Sequence, residues 1–422
     1  MAQLQQSKSP LGFTDLHQWL RWIEHAHQTG RRRSWYQVLT VARRLELLQP
    51  ASQTVVVAGT NGKGSTVHYT EQLLVAQGVK VGSTYSPHLQ RYNERIRING
   101  QEVGDEEIVS AFEGIYDAQG GVHLSYHDYA TLASFWIFKR HQVDFAILEV
   151  GVGGRYDATN VVFRDANVIT SVALDHQNML GPDVETIGWE KAGISRCGVP
   201  LIYGDLNQVS TVVNRAGSLQ SPLIERVKDF DYKSHDHEKF SVVIGIGQRA
   251  RQLCLSKAPK NPLSLTLAVQ TLVTLGFSVD ESDLADTQTT QLPGRMELIH
   301  HEDRQWFLDV AHNPDAIKYL MRFLPKINHN QVARVLLGIS KHKDFSGIVQ
   351  ALRLPTNRIL LTATQGRRGS SWERQCSEFG IQCIEELDLA YQELVANTVS
   401  GDLILVVGSF DVVGRLRTKV AS

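Results

Sequence analysis

Cysteine is scarce in this chain: Cys197, Cys254, Cys376 and Cys383 are the four in 422 residues, with no C-x-x-C pair and no zinc-ligand spacing. That excludes a disulfide scaffold or a zinc module and predicts free thiols in a reducing compartment. Charge of one sign is missing too. The 43 Lys and Arg balance 44 Asp and Glu, for a net charge of −1. Such a balance argues against a dedicated nucleic-acid binder or a polybasic membrane-surface protein. No stretch reaches the roughly 18 apolar residues of a membrane span, and the opening MAQLQQSKSPLGFTD has no apolar signal-like core. These absences predict a cytoplasmic globular protein. What is present is ordinary, 42% hydrophobic and 21% charged, in a chain long enough for two or three domains with full cores.

Hydrophobic periodicity predicts two helices within Leu16 to Leu48, interrupted by Gly30-Arg31-Arg32-Arg33-Ser34. Thr54 to Ala58 reads as a buried strand, followed by a glycine-rich turn, Gly59 to Ser65, and a helix running to Gly78. Val143 to Val150 and Asn167 to Leu174 read as further buried strands, the second ending at Asp175-His176. Apolar strands alternating with helices imply a parallel sheet covered on both faces, with ligands at the carboxyl ends of its strands. A second α/β unit of about 130 residues begins near Leu292-Pro293-Gly294-Arg295, with strands expected over 305–310, 334–338, 358–362 and 402–407 and a hinge at Pro293.

The sharpest chemical signal is Gly59-Thr60-Asn61-Gly62-Lys63-Gly64-Ser65-Thr66 between a strand and a helix. Glycines let backbone N–H groups turn inward around phosphate oxygens, and the helix start adds positive potential. Lys63 would reach the β- and γ-phosphates, with a Ser65 or Thr66 hydroxyl toward Mg²⁺. The general P-loop pattern asks for a glycine where Val57 stands, so only the shorter form fits. Glu149 closes an apolar strand where a core residue belongs, and an unpaired buried carboxylate is costly. Glu149 and His176 at neighbouring strand ends suit a divalent cation between ATP and an acceptor.

Around these lie Ser86-Pro87-His88-Leu89, Arg91 to Ile96, Glu149 to Arg155, Asp157-Ala158-Thr159-Asn160, Leu174-Asp175-His176, Glu190 to Ile194, Leu292 to Arg295 and Asp309 to Pro314. In this order they resemble the folylpolyglutamate synthase/dihydrofolate synthase family of the Mur-ligase superfamily. The resemblance implies an α/β fold. A P-loop, mostly parallel sheet domain of the Mur-ligase central type would cover residues 1–290, and a smaller Rossmann-like α/β glutamate-ligase domain residues 291–422. It also implies an ATP-dependent amide ligase that makes an acyl phosphate and passes it to L-glutamate, forming dihydrofolate from dihydropteroate or extending tetrahydrofolate. The family further implies a monomer with small-molecule substrates and no nucleic-acid or membrane partner.

Carried over by position, Gly59, Thr60, Asn61, Gly62, Lys63, Gly64, Ser65, Asn261, Arg295 and Asp309 would bind ATP, and Ser86, Glu149 and His176 would bind Mg²⁺. Lys63, Lys191 and His312 would be catalytic, with Lys191 the lysine that the family carbamylates; an ion pair with Glu190 or another acid is its other reading. Arg32, Arg33, Ser125, His127, Asp128, Tyr156, Asp157 and Ala158 would face the acceptor. The departures from the family pattern concentrate there. Arg31 to Gln37 replaces an I-D-x-G-L-x-R segment, and Ser125-Tyr126-His127-Asp128 replaces T-Y/F-F-E, putting His127 where an aromatic would pack on the pterin. On the nucleotide side, the family asparagine aligns with Pro262, and the second domain's D-K-D reads His342-Lys343-Asp344. Four readings follow: a folate ligase; a divergent paralogue acting on a non-pterin carboxylate; a non-catalytic ATP-binding protein, against which the retained Lys63, Glu149, His176 and Lys191 speak; and a stand-alone P-loop hydrolase or kinase, for which nothing beyond the loop positions a water or hydroxyl acceptor.

Overall fold

The computed structural model describes residues 11–26, 35–235, 239–245, 250–287, 292–327, 331–365 and 372–421. The run Thr54 to Ala58 is strand β1 (Gln53–Ala58), at the centre of a sheet because both its faces are apolar: Val55 and Val57 enter one core, Val56 and Ala58 the other. The same sheet takes β2 (Val81–Thr84), β3 (Ile96–Ile98), β4 (Gln101–Glu102), β5 (Phe145–Glu149), β6 (Ala166–Ile169), β7 (Leu201–Tyr203) and β8 (Leu223–Glu225). Its order is β4-β3-β2-β5-β1-β6-β7-β8. From β2 to β8 the pairs are parallel, and β3 and β4 add an antiparallel edge. The register pairs Val57 with Glu149 and with Val168, which brings the phosphate-type loop and the carboxylate to one sheet edge.

An antiparallel sheet of β9 (Phe230–His235), β10 (Lys239–Ile244) and β11 (Arg251–Leu255) packs on this unit; the sequence reading had no strands there. The second unit is a six-stranded sheet of β12 (Glu297–His301), β13 (Arg304–Leu308), β14 (Val332–Leu337), β15 (Ile359–Leu361), β16 (Gln382–Cys383) and β17 (Leu403–Val407), in the order β12-β13-β17-β14-β15-β16. All but β12 pair in parallel, so both units are α/β as expected. The 290/291 boundary lies outside the described residues.

One expected strand is cut short. Rather than running to Leu174, β6 ends at Ile169, because the backbone beyond it bonds elsewhere. Ala173 N–H donates to Thr60 Oγ1 at 3.0 Å and Val172 N–H to Asp205 at 2.7 Å, so these residues wrap the glycine-rich loop. His176 therefore sits beyond the strand, at φ 51°, leading the short helix Gln177–Leu180. The units meet where Gly414, in the helix Phe410–Val420, packs on the Leu89 carbonyl and Gln90 donates to the Gly414 carbonyl at 3.2 Å.

Candidate functional site

A cleft of about 1020 Å³ lies between the units and is lined from both. Its floor is the loop after β1. Gly59 has φ 149°, and any side chain there would collide with the Thr170 hydroxyl, so glycine is required. Gly62, at φ 85°, begins the helix Lys63–Ala76. Thr60 N–H donates to the Ser171 carbonyl at 2.8 Å, Asn61 N–H to Ser171 Oγ at 3.1 Å, and Thr170 Oγ1 to the Asn61 carbonyl at 2.6 Å. The loop is thereby clamped to the segment after β6, with the first helical N–H groups, which have no carbonyl partner within the helix, at its centre. Lys63 Nζ folds back to the Gly59 and Thr60 carbonyls at 3.2 and 3.4 Å.

Glu149, the last residue of β5, is buried and accepts from Ser86 N–H at 2.9 Å. Burial pushes its carboxyl up, and Lys63 and the Ser86 N–H only partly oppose this. Ser86 Oγ is buried and among the described residues has no hydrogen-bond partner, an oxygen left open beside a carboxylate, which suits a hard divalent cation. Lys191 is 3% exposed; burial first, and Lys63 second, bring its ammonium down to about 7. Burial brings His176 down to about 3, so its ring is neutral. Ser86, Glu149, His176 and Lys191 all line the cleft. Among the described residues no three His, Cys, Asp or Glu side chains group as a metal site by themselves, so a cation here would need oxygens from Ser86 and from bound phosphate.

The second unit forms the opposite wall. Asp309 is held by Met296 N–H and Ala311 N–H, both at 2.8 Å, and burial raises its carboxyl. Arg295 lies 4.6 Å over the Phe410 ring. His312 Nδ1 is 2.8 Å from the Val310 carbonyl, and Nε2 is 3.5 Å from Asp175. Asn313 Oδ1 accepts from Ala316 N–H at 2.9 Å in the helix Pro314–Ile327. Its amide also pairs reciprocally with Asn61, at 2.9 and 3.2 Å. Lys343 Nζ donates to Asp175 at 2.6 Å. Asn261 lines the cleft but also caps the helix Pro262–Thr274, accepting from Ser264 N–H at 3.2 Å.

On the acceptor side, Ser125 and His127 line the cleft, whereas Asp128 does not: it completes a capping box with Ser125 at 2.7 and 3.2 Å. Asp157 lies behind His127. Its Oδ2 takes His127 Nε2 at 3.0 Å, Gly151 N–H at 3.1 Å and Val152 N–H at 3.3 Å, and its Oδ1 takes the Thr159 N–H and hydroxyl. Burial alone would raise Asp157, but the His127 charge and these bonds outweigh it and bring it to about 2. Burial would lower His127, but Asp157 outweighs that and the net shift is upward. Tyr156 is exposed, Ala158 is buried, and neither lines the cleft. Arg32 and Arg33 lie outside the described residues.

Sequence reasoning gave no site role to Asp175, Asn313, Lys343, Arg95 or Tyr319, all in the cleft wall except Asn313, which is one contact behind it. Asp175, Asn313, Arg95 and Lys343 stood inside quoted motifs, so their spacing was visible. Nothing local marks Tyr319.

Residues 294–410 match the family model described as "Mur ligase, glutamate ligase domain". The dihydrofolate synthase/folylpolyglutamate synthase of Escherichia coli is 37% identical over 415 residues, covering 97% of this chain and 96% of the relative. A structure of E. coli FolC in complex with DHPP and ADP superposes with a TM-score of 0.87 at 36% identity, covering 97% of this chain and 98% of the other. The Yersinia pestis bifunctional enzyme, complexed with AMPPNP and Mn ion, gives a TM-score of 0.89 at 32% identity, covering 99% and 100%.

Proposed function

This chain belongs to the dihydrofolate synthase/folylpolyglutamate synthase family, and from that membership and the cleft we propose that it is an ATP-dependent ligase joining L-glutamate to the carboxylate of dihydropteroate, of a folate, or of both. The observation that carries this is the convergence, in one interdomain cleft, of a phosphate-type loop, Glu149 beside the open Ser86 hydroxyl, and the Arg295, Asp309 and His312 wall.

An acceptor carboxylate oxygen attacks the γ-phosphorus of ATP, ADP leaves, and an acyl phosphate forms. The amine of L-glutamate then attacks the acyl carbon, and phosphate departs with the C–O bond electrons. Both steps bring anions together, so catalysis rests on positioning and charge neutralisation. Gly59 to Ser65 cradle the phosphates and Lys63 balances their charge, while Asn261, Arg295 and Asp309 hold the rest of the nucleotide. Ser86, Glu149 and His176 would hold Mg²⁺, which draws charge from the phosphate oxygens when bound. Lys191, brought down to about 7 by burial, presents a neutral amine that can add to carbon dioxide and release one proton to solvent, placing a carboxylate where an ammonium would otherwise stand. His312, with Nδ1 directed to the Val310 carbonyl and Nε2 facing Asp175, stands in the wall where the glutamate amine would be held. Residues 1–290 and 291–422 act as two bodies closing on the substrates in a cytoplasmic monomer.

The acceptor pocket favours keeping a second reading. Asp157, expected to face a pterin, is saturated by His127, Gly151, Val152 and Thr159, so a different carboxylate-bearing acceptor would meet His127 first. Phosphate release by the purified protein with Mg·ATP and L-glutamate, alone, with dihydropteroate, and with tetrahydrofolate, separates the two. Release dependent on either pterin substrate is expected. Silence with both, from protein that binds ATP, would transfer the reading to a non-pterin acceptor.

A further inference from the structure

Leu89 stands three residues after Ser86, and its side chain joins the hydrophobic core of the second unit, beside Val413. A side-chain carbon at Gly294 would lie 3.0 Å from Leu89 and 3.1 Å from Val413, so the seat is closed on that side by a bare backbone. The Leu89 carbonyl rests on Gly414, so closely that any side chain there would run into it. Gln90 donates to the Gly414 carbonyl at 3.2 Å and to Thr418 Oγ1 at 3.0 Å, and its own oxygen accepts from Arg417 at 2.9 Å. Arg417 is held in turn by Glu297, at 3.0 and 3.1 Å.

The loop between this seat and Ser86 is braced. Glu94 accepts the N–H groups of Leu89, Gln90 and Arg91 at 2.6, 2.7 and 2.7 Å, and Arg95 Nε donates to His88 Nδ1 at 2.7 Å. At its start, Ser86 N–H donates to Glu149 at 2.9 Å, while among the described residues Ser86 Oγ has no hydrogen-bond partner. Three residues reach at most about 11 Å, and these bonds leave little of that length slack. A shift of the second unit at Leu89 is therefore passed along the loop to Ser86, whereas Glu149, at the end of β5, stays with the first unit's sheet.

We propose that Leu89 is a positioning residue: seated in the second unit, it sets Ser86 Oγ beside Glu149, so that a divalent cation meets its full set of oxygens only when the two units are docked. Leu89 acts through Ser86 and is not itself in the cleft wall. This rests on the reading of Ser86, Glu149 and His176 as a cation site.

The test is Leu89→Ala in the full chain, with Mn²⁺ as the probe and its affinity read by electron paramagnetic resonance in saturating ADP. Groups that orient a metal ligand without touching the metal typically change affinity 10- to 100-fold, so the Kd for Mn²⁺ should rise about 10-fold. Leu89→Met keeps a side chain of similar volume in the seat and should stay near wild type. ADP affinity without metal should not move in either variant. Gly414→Ala reaches the same contact from the other side and should weaken Mn²⁺ too, with no atom of the loop changed. If Leu89 merely glues the units together, Leu89→Ala lowers the thermal midpoint and leaves Mn²⁺ affinity as it was; that result would overturn the proposal.

A second measurement needs no variant. Coupling between sites is reciprocal, so adding Mn²⁺ to the ADP complex of the wild type should slow amide hydrogen exchange over residues 414–418 beyond what ADP alone does. Added protection confined to the surroundings of Ser86 and Glu149 would count against Leu89 as the link. Failure of the cation-site reading looks different: wild type would bind ADP and no Mn²⁺ at all, and the proposal would fall with it.

Discussion

Asp175 and Lys343 meet at 2.6 Å across the cleft, the first buried and the second partly so, one from the segment after β6 and the other from the second unit. The same carboxylate accepts the Asn313 amide at 3.2 Å and its neighbour's N–H, from His176, at 2.8 Å. Burial alone would raise Asp175; His312 and Lys343 outweigh it and hold the carboxyl well below the usual carboxylate range. A buried pair is a poor source of net stability, but removing one partner strands the other.

Asp175→Asn should therefore lower unfolding stability by about 2–4 kcal/mol in a urea titration, while Asp175→Asn with Lys343→Met should cost less than the sum of the single changes. A group with a depressed folded pKa contributes stability above its unfolded value and loses it only as pH falls through the folded one. The cost of Asp175→Asn should thus stay flat from about pH 5 to 9. A marked decline within that window would count against the pairing.

Glu149→Gln keeps the shape and the Ser86 N–H contact but removes the charge. Ligation should fall at least about 100-fold while the circular dichroism spectrum and thermal midpoint stay near wild type. His176→Ala should do the same. Unchanged turnover in either would remove the cation-site assignment.

Lys191→Ala should inactivate the enzyme, and short carboxylates added to the assay should restore part of the rate if the lysine acts as a carbamate. Complete inactivity at every carboxylate concentration would favour a role for the amine itself.

His127→Phe restores the aromatic expected at that position and breaks the contact with Asp157. His127 is raised in the folded state, so its contribution is fully present below the unfolded histidine value and is lost as pH rises through the folded one. The substitution should cost about 1 kcal/mol at pH 6 and close to nothing at pH 9. Equal costs at both values would show that the pair is not ionic.

The fold was legible wherever one residue pattern had one physical solution. The double-faced apolar run Thr54 to Ala58 can only be an interior strand, and β5, β13, β14, β15 and β17 were readable for the same reason. The antiparallel β9 to β11 were not: Arg251–Leu255 leaves three of its five residues exposed and looks like surface, and β10, though buried, lies between segments with no strand signal. The overlong reading of β6 has a specific cause. Thr170 to Ala173 are β-prone, yet their backbone groups bond to side chains of the glycine-rich loop and Asp205, which no local pattern reveals. In the site, glycines and a strand-terminal Glu149 announce themselves. Tyr319 does not, because an aromatic on an amphipathic helix reads as core until its hydroxyl is seen, among the described residues, without a partner.

The Asn61–Asn313 pair has a consequence for how this sequence can change over generations. Each amide gives one hydrogen and takes one, so the match works only while both ends are amides. An aspartate at either end faces oxygen with oxygen, and a serine falls short. Since Asn313 also starts its helix and Asn61 belongs to the glycine-rich loop, drift at one position must be answered at the other, on the opposite side of the cleft. Homologues that have lost one asparagine should have altered the second as well, and chimaeras that join halves from such lineages should assemble badly even though each half is sound.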